Sequence, residues 1–440
     1  MRPRLVLLAC CTLVALAWLR AGPVRAQRPA PAVPPPAGAD SAPVPVPPAS
    51  PRAVAYARGN TLLWLVDLVV GIAVPALVFV SGLSARLRTA ARRVGRGWLG
   101  TTIVYFLLLG VCFGLVTLPL TFYESFVREH AFGLSTQTLG RWARDLLIGS
   151  AVSLALGAAL VGLPVLLLRR SPRRWWLWSG LAAFPLLALL QLVAPIWLAP
   201  LFNRFGPMHD RALETEVRTL AHRAGLAHVA VFEVDKSADT RALNAYVAGL
   251  GGTRRVVLWD TLLRRLDRRE VLAVTAHELG HYVLHHVWLG ILTGGTLLLA
   301  ALWAVHRAAG RALARWGPRA GVHELADPAA LPLLAALGGV ALAVLGPVGL
   351  AVSRHLEHEA DRFALELTRD NRALARSFVV LQQDNLGDPW PSPLVRLLRY
   401  SHPPLGERIT FANTYRPWAR GAPLRHGARF VPPAGGEGPE

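Results

Sequence analysis

The chain has 440 residues, of which 53% are hydrophobic and only 17% charged. Soluble domains carry about 25% charge, so an ordinary water-soluble protein is excluded. Three cysteines, Cys10, Cys11 and Cys112, exclude a disulfide framework. The net charge of +20 would suit nucleic acid, but the basic residues are arginines except for Lys236 and many cluster beside apolar blocks, so no nucleic-acid partner is expected.

At the amino terminus, Met1-Arg2-Pro3-Arg4 precedes a short apolar run and the small residues around Ala26. Residues 1–26 therefore read as a signal peptide or an uncleaved signal anchor. Residues 27–55 are rich in proline and alanine and read as an extended linker without a core of its own.

A bilayer crossing needs about 20 apolar residues. Six blocks meet that length, at 61–83, 99–122, 146–168, 175–200, 287–305 and 328–352. Residues 56–200 thus hold four transmembrane helices and 287–353 two more. Asp67 and Gln191 interrupt their blocks and are expected to face protein or a water-filled cavity. Arginines crowd the connectors: Arg86, Arg88, Arg92, Arg93 and Arg96, then Arg169, Arg170, Arg173 and Arg174, then Arg307, Arg311, Arg315 and Arg319. With alternating spans these connectors share one side, which the positive-inside rule makes cytoplasmic. Residues 201–286 and everything after 353 then fall on the other side. The expectation is an integral protein of a bacterial inner or cell membrane, in contact with lipid, with its polar regions outside the cytoplasm.

Those polar regions carry the motifs. Leu213, Val217, Leu220 and Ala221 recur at helical spacing. Residues 229–234 read as a strand, and 244–249 and 255–259 as a hairpin turned at Gly251-Gly252. Asn244-Ala245-Tyr246 is a candidate edge for pairing with an extended substrate backbone; an ordinary structural hairpin is the competing reading. A helix opens at Asp267 and runs through His277-Glu278-Leu279-Gly280-His281. This is H-E-x-x-H: two imidazoles one helical turn apart can grip one metal ion, and Glu278, one step round, can act on a water as general base. Catalytic zinc needs a third protein ligand. Glu357 and Asp361, at i and i+4, supply a ligand and an acceptor for a ligand histidine's second N–H; Glu359 is the rival ligand. Residues 201–286 and 354–420 are read as the two parts of one peptidase domain, and 421–440 as a disordered tail. Within the second part, His402 is held before Pro403-Pro404, where it could donate to an oxyanion, and Arg408 follows, placed to orient it or a carboxylate.

Taken together, Asn244-Ala245-Tyr246, the 255–262 stretch, the HELGH at His277, Ser353-Arg354 with Glu357 and Ala360-Asp361, and Ser401-His402-Pro403-Pro404 with Glu407-Arg408 resemble the type I CaaX prenyl protease family of integral-membrane zinc metallopeptidases. The resemblance runs from about Tyr56 to Phe411. It implies a mainly α, polytopic helical barrel around a water-filled chamber, with a gluzincin-like peptidase domain that carries a small β-sheet. It also implies one Zn2+ on His277, His281 and Glu357, Glu278 and His402 as catalytic groups, and Asp361 behind the ligands. Asn244, Ala245, Tyr246 and Arg408 are implied to meet the substrate. The substrate class would be peptide or protein, lipidated or membrane-embedded, in CaaX-box processing or membrane-protein quality control. Two stretches depart from the family pattern: His358-Glu359, and Arg241-Ala242-Leu243 before Asn244. A non-catalytic membrane chaperone or scaffold that keeps the zinc site is the alternative reading, with a metal transporter further behind.

Overall fold

The computed structural model describes residues 42–249 and 253–431. The expected signal segment, most of the linker and the glycine pair of the expected turn lie outside these residues.

Among the described residues four long helices come first: α1 (Pro51–Val80), α3 (Gly97–Ala131), α4 (Leu139–Arg170) and α5 (Trp175–Phe202), with the short basic helix α2 (Leu83–Val94) between the first two. Ser50 caps α1, accepting from Ala53 N–H, and Pro51 fills the first turn, where no N–H is needed. Two more long helices follow later, α8 (His286–Ala320) and α9 (Leu331–Thr368). In the apolar windows of all six, only 0–17% of residues are buried by protein. Side chains that are apolar yet uncovered need lipid around them, so these six are the membrane spans. They match the six expected blocks.

The Arg-rich connectors meet at one end of the bundle. Ser84 Oγ donates to Ala329 O at 2.6 Å, Arg88 pairs with Asp327, the Arg169 guanidinium lies 5.4 Å from the Trp98 ring centre, and Trp176 stacks on His306. Asp67 lines a cavity of about 540 Å3 with Glu124, Arg128 and Arg399, as a polar interruption should; Gln191, by contrast, is exposed.

At the opposite end sits a compact α/β unit. Its sheet runs β1-β2-β4-β3, from β1 (Phe205–Gly206), β2 (Ala230–Val234), β3 (Ala245–Ala248) and β4 (Arg255–Trp259). β3 and β4 are antiparallel, as the hairpin reading expects, whereas β2 runs parallel to β4. β3 is therefore an edge strand. Helices α6 (Arg211–Arg223), α7 (Arg268–Val283), α10 (Asn371–Asp384) and α12 (Leu405–Thr414) pack around the sheet and around the far end of α9. Asp210 caps α6, and Asp267 with Glu270 forms a reciprocal capping box on α7. A last short helix, α11 (Pro393–Arg399), bridges α10 and α12.

Two sequence boundaries change. The linker was expected to have no core, but Val44 is buried in the α/β core, Val44 N–H and C=O both bond to the Asn413 amide, and Pro47 O accepts from Gln382. Polar side chains on the folded unit satisfy the backbone of this extended segment, so it docks as a strap. The expected disordered tail also starts too early. The Glu366 carboxylate, buried in the core, accepts from Arg425 N–H, His426 N–H and the Tyr415 hydroxyl, and Phe430 packs on Phe363. A buried carboxylate needs such donors, and they hold the chain to residue 431.

Candidate metal centre

Two helices build the centre. α7 presents His277 and His281 on one face, one turn apart. α9 leaves the membrane and continues unbroken into the α/β core, carrying Glu357 and Asp361 with it. The helices can approach because residue 280 is glycine: an added Cβ would lie 3.1–3.2 Å from three atoms of the buried Phe363 side chain.

The result is a tight triangle. His277 Nε2 and His281 Nε2 are 3.1 Å apart, and the Glu357 carboxylate closes the triangle with one oxygen for each, Oε2 3.3 Å from His277 Nε2 and Oε1 3.3 Å from His281 Nε2. A tetrahedral zinc with ligands at about 2.0–2.1 Å sets them about 3.3 Å apart, so the donors suit such an ion. The tautomers agree. His277 Nδ1 donates to Asp361 Oδ1 at 2.9 Å, which leaves its Nε2 lone pair aimed at the triangle. Buried Glu357 Oε2 has no hydrogen-bond partner among the described residues, and a cation would satisfy it. The electrostatics favour positive charge there: burial pushes the His277 imidazole down, but Asp361 and Glu357 outweigh it and lift it to about 10.

Asp361 is itself clamped. Arg408 donates to both its oxygens, from Nε at 2.9 Å and Nη2 at 2.6 Å, and its guanidinium lies 4.1 Å from the centre of the Phe378 ring. Arg408 was expected to meet substrate or to orient His402 or a carboxylate; its Nε and Nη2 clamp the Asp361 carboxylate, and it also lines the adjoining cavity. His402 Nε2 reaches Glu357 Oε1 at 3.2 Å, and Ser401 Oγ lies 2.9 Å from its Nδ1.

The centre opens on a cavity of about 860 Å3, lined by His277, Glu278, His402, Asn244 and Ala245 together with Tyr56 and Thr61 of α1. Glu278 has no hydrogen bond to protein among the described residues, so it is free to serve a water or substrate. The sheet edge arrives at the same cavity. Trp259 N–H donates to Asn244 O, so by the two-residue alternation Ala245 and Val247 turn their backbone groups to the open side. Just before them, Asn385 bonds both N–H and C=O of Leu243 through its amide, which closes the edge at that point. Tyr246 is half-buried and does not line the cavity.

One residue escaped sequence reasoning. Leu284 ends α7, His285 adopts φ +58°, and the chain turns so that buried His286 Nδ1 lies 3.0 Å from His281 Nδ1. The signal was present as the His285-His286 pair that follows the motif, His286 five positions beyond His281.

Family models match nearly all of this architecture: residues 207–416 match peptidase family M48, and residues 48–204 match the CAAX prenyl protease N-terminal region, described as five membrane helices. An uncharacterized metalloprotease, YhfN, of Bacillus subtilis (strain 168) is 33% identical over 337 residues, covering 77% of this chain and 79% of the relative. The chain belongs to peptidase family M48. A CAAX prenyl protease 1 homolog of Arabidopsis thaliana is 30% identical over 302 residues, covering 67% and 69% of the two chains. The crystal structure of S. mikatae Ste24p superposes with a TM-score of 0.71 at 21% identity, covering 94% of this chain and 100% of that one. The M48 chain is thus a membrane-embedded metallopeptidase with a helical-barrel fold, acting on peptide or protein substrates.

Proposed function

We propose that the metal is zinc, held by His277, His281 and Glu357, and that the chain is an endopeptidase whose general base is Glu278. The observation that carries this reading is the cluster of His277 Nε2 and His281 Nε2, 3.1 Å apart, with the Glu357 carboxylate 3.3 Å from each through a different oxygen, at the wall of a cavity that also holds a free carboxylate. Zinc bound there supplies Lewis acidity and lowers the pKa of a water towards about 7.

The protein's own groups do the rest. An extended peptide lies along β3, hydrogen-bonding to the open side of Ala245–Val247, with Asn244 beside it. Tyr246 contributes through the strand backbone, since its side chain stands off the cavity. Glu278 removes the proton from the attacking water and returns it to the departing amine. His402, oriented by Ser401, donates to the developing oxyanion. Asp361, fixed by Arg408, keeps His277 in the tautomer that leaves Nε2 free.

Substrates with a membrane-borne or lipidated segment fit a chamber walled in part by spans, and relatives carry the name CAAX prenyl protease. The catalytic end lies opposite the arginine connectors, which supports an extracytoplasmic active site in a bacterial cell membrane.

Glu278→Gln is the decisive variant. It should keep its zinc and lose about 100- to 10,000-fold in kcat, whereas His281→Ala should lose both metal and activity. Metal analysis beside a peptide-cleavage assay reads both. Full activity in Glu278→Gln would sink the assignment, and zinc without any cleavage by the wild type would favour the scaffold reading.

A further inference from the structure

Helix α11 has no part in the chemistry above. Its inner side lines the catalytic cavity through Ser392, Val395 and Arg399. Its outer side is apolar and uncovered: Trp390 just before it is 58% exposed, Leu394 64% and Leu397 47%. Soluble surfaces show such side chains singly; two on one side of a seven-residue helix, with a tryptophan just before it, need a cover.

The level of α11 in the molecule says what covers it. Arg399 Nη1 donates to Thr61 Oγ1 at 2.8 Å, at the start of the apolar part of α1. From the other side, Arg354 Nη1 reaches Arg396 O at 3.2 Å and Tyr400 O at 2.7 Å, where α9 leaves its apolar stretch. α11 therefore bridges the ends of two spans. The apolar stretch of α9 is likewise uncovered, with Val344 72% and Val348 53% exposed. The two arginines of α11 turn to Glu407 and Thr61, so the outward side is left to Trp390, Leu394 and Leu397.

We propose that the outer side of α11 is seated in the interfacial zone of the lipid bilayer, so that this helix is a cavity wall with lipid behind it. The depth suits the chemistry: tryptophan favours the headgroup level, and the apolar side of an interfacial helix sinks about 5–10 Å into the boundary. The lipid seat does not depend on the metal or on Glu278; only the term catalytic for the cavity rests on the proposed function.

The test uses the full chain in lipid nanodiscs, with Cys10, Cys11 and Cys112 replaced by alanine and an environment-sensitive fluorophore on single cysteines. Leu394→Cys and Leu397→Cys should be quenched by nitroxide-bearing lipid and protected from iodide. Val344→Cys serves as the lipid reference and Thr219→Cys, on exposed α6, as the aqueous one. Ser392→Cys, on the inner side, should escape the lipid quencher. Iodide access at 394 and 397 equal to that at 219 would overturn the proposal, as would uniform quenching at 392, 394 and 397. Peptide cleavage by the same preparations is scored separately, so an inactive but lipid-protected chain would count against the peptidase assignment and leave the lipid seat standing.

Discussion

At the scale of single residues, the two ligand histidines are supported differently. His277 rests on a carboxylate that an arginine clamps; His281 rests on the neutral ring of His286. For His281 Nε2 to face a cation its proton must sit on Nδ1, and His286 Nδ1 is then the acceptor. Asparagine places a polar atom near the position of Nδ1, whereas phenylalanine fills the space without an acceptor. His286→Phe should therefore weaken zinc retention about 10- to 100-fold, measured by competition with a chelator, and His286→Asn should restore most of it. Equal affinity in His286→Phe and wild type would assign His286 to packing alone. The proposed donors His277 and His281 were legible in the chain because helical periodicity dictates which residues share a turn. His286 was missed and the partner of Arg408 left open for a common reason: their contacts are set by how helices cross and where a helix breaks, and neither is a periodic property.

At the scale of elements, the decisive event is the crossing of α7 and α9, and it turns on Gly280. Glycine inside a helix is unfavourable by about 1 kcal/mol against alanine, so a methyl here would gain local propensity while pressing 3.1–3.2 Å against a fully buried phenylalanine. Overpacking typically costs about 1–3 kcal/mol. For Gly280→Ala the two terms nearly cancel, and the melting temperature should move little. The helices must still part by a few tenths of an ångström, which lengthens the 3.3 Å spacings to Glu357. Zinc affinity should fall while stability holds, and Phe363→Leu in the same chain should recover it. Gly280→Val, with two more methyls, should lose both. Unchanged zinc affinity in Gly280→Ala would show that the crossing has slack. Strands β2, β3 and β4, the start of α7 at Asp267 and the six spans could be read directly, since alternation, caps and apolar length are local. The parallel pairing of β2 with β4 and the docking of residues 44–47 and 425–430 could not, because long-range partners satisfy those backbones.

For the whole molecule, charge is sorted by end. The three connectors hold thirteen arginines against only Glu324 and Asp327. At the catalytic end arginines are matched: Arg268 with Asp210 and Glu216, Arg265 with Asp384, Arg269 with Asp370, and Arg211 and Arg218 with Glu214. Basic residues near span ends resist translocation, whereas acidic residues contribute little to orientation. The unmatched end should therefore stay in the cytoplasm and the zinc site should face away from it. An anionic inner leaflet adds about 1 kcal/mol per arginine near its surface, which further holds α2 and its neighbours there. Single cysteines decide it: Thr219→Cys should react with a membrane-impermeant maleimide on intact cells stripped of any outer envelope, and Arg92→Cys only after the membrane is opened. The reverse labelling would place the chamber mouth in the cytoplasm, and substrates would then have to come from that side.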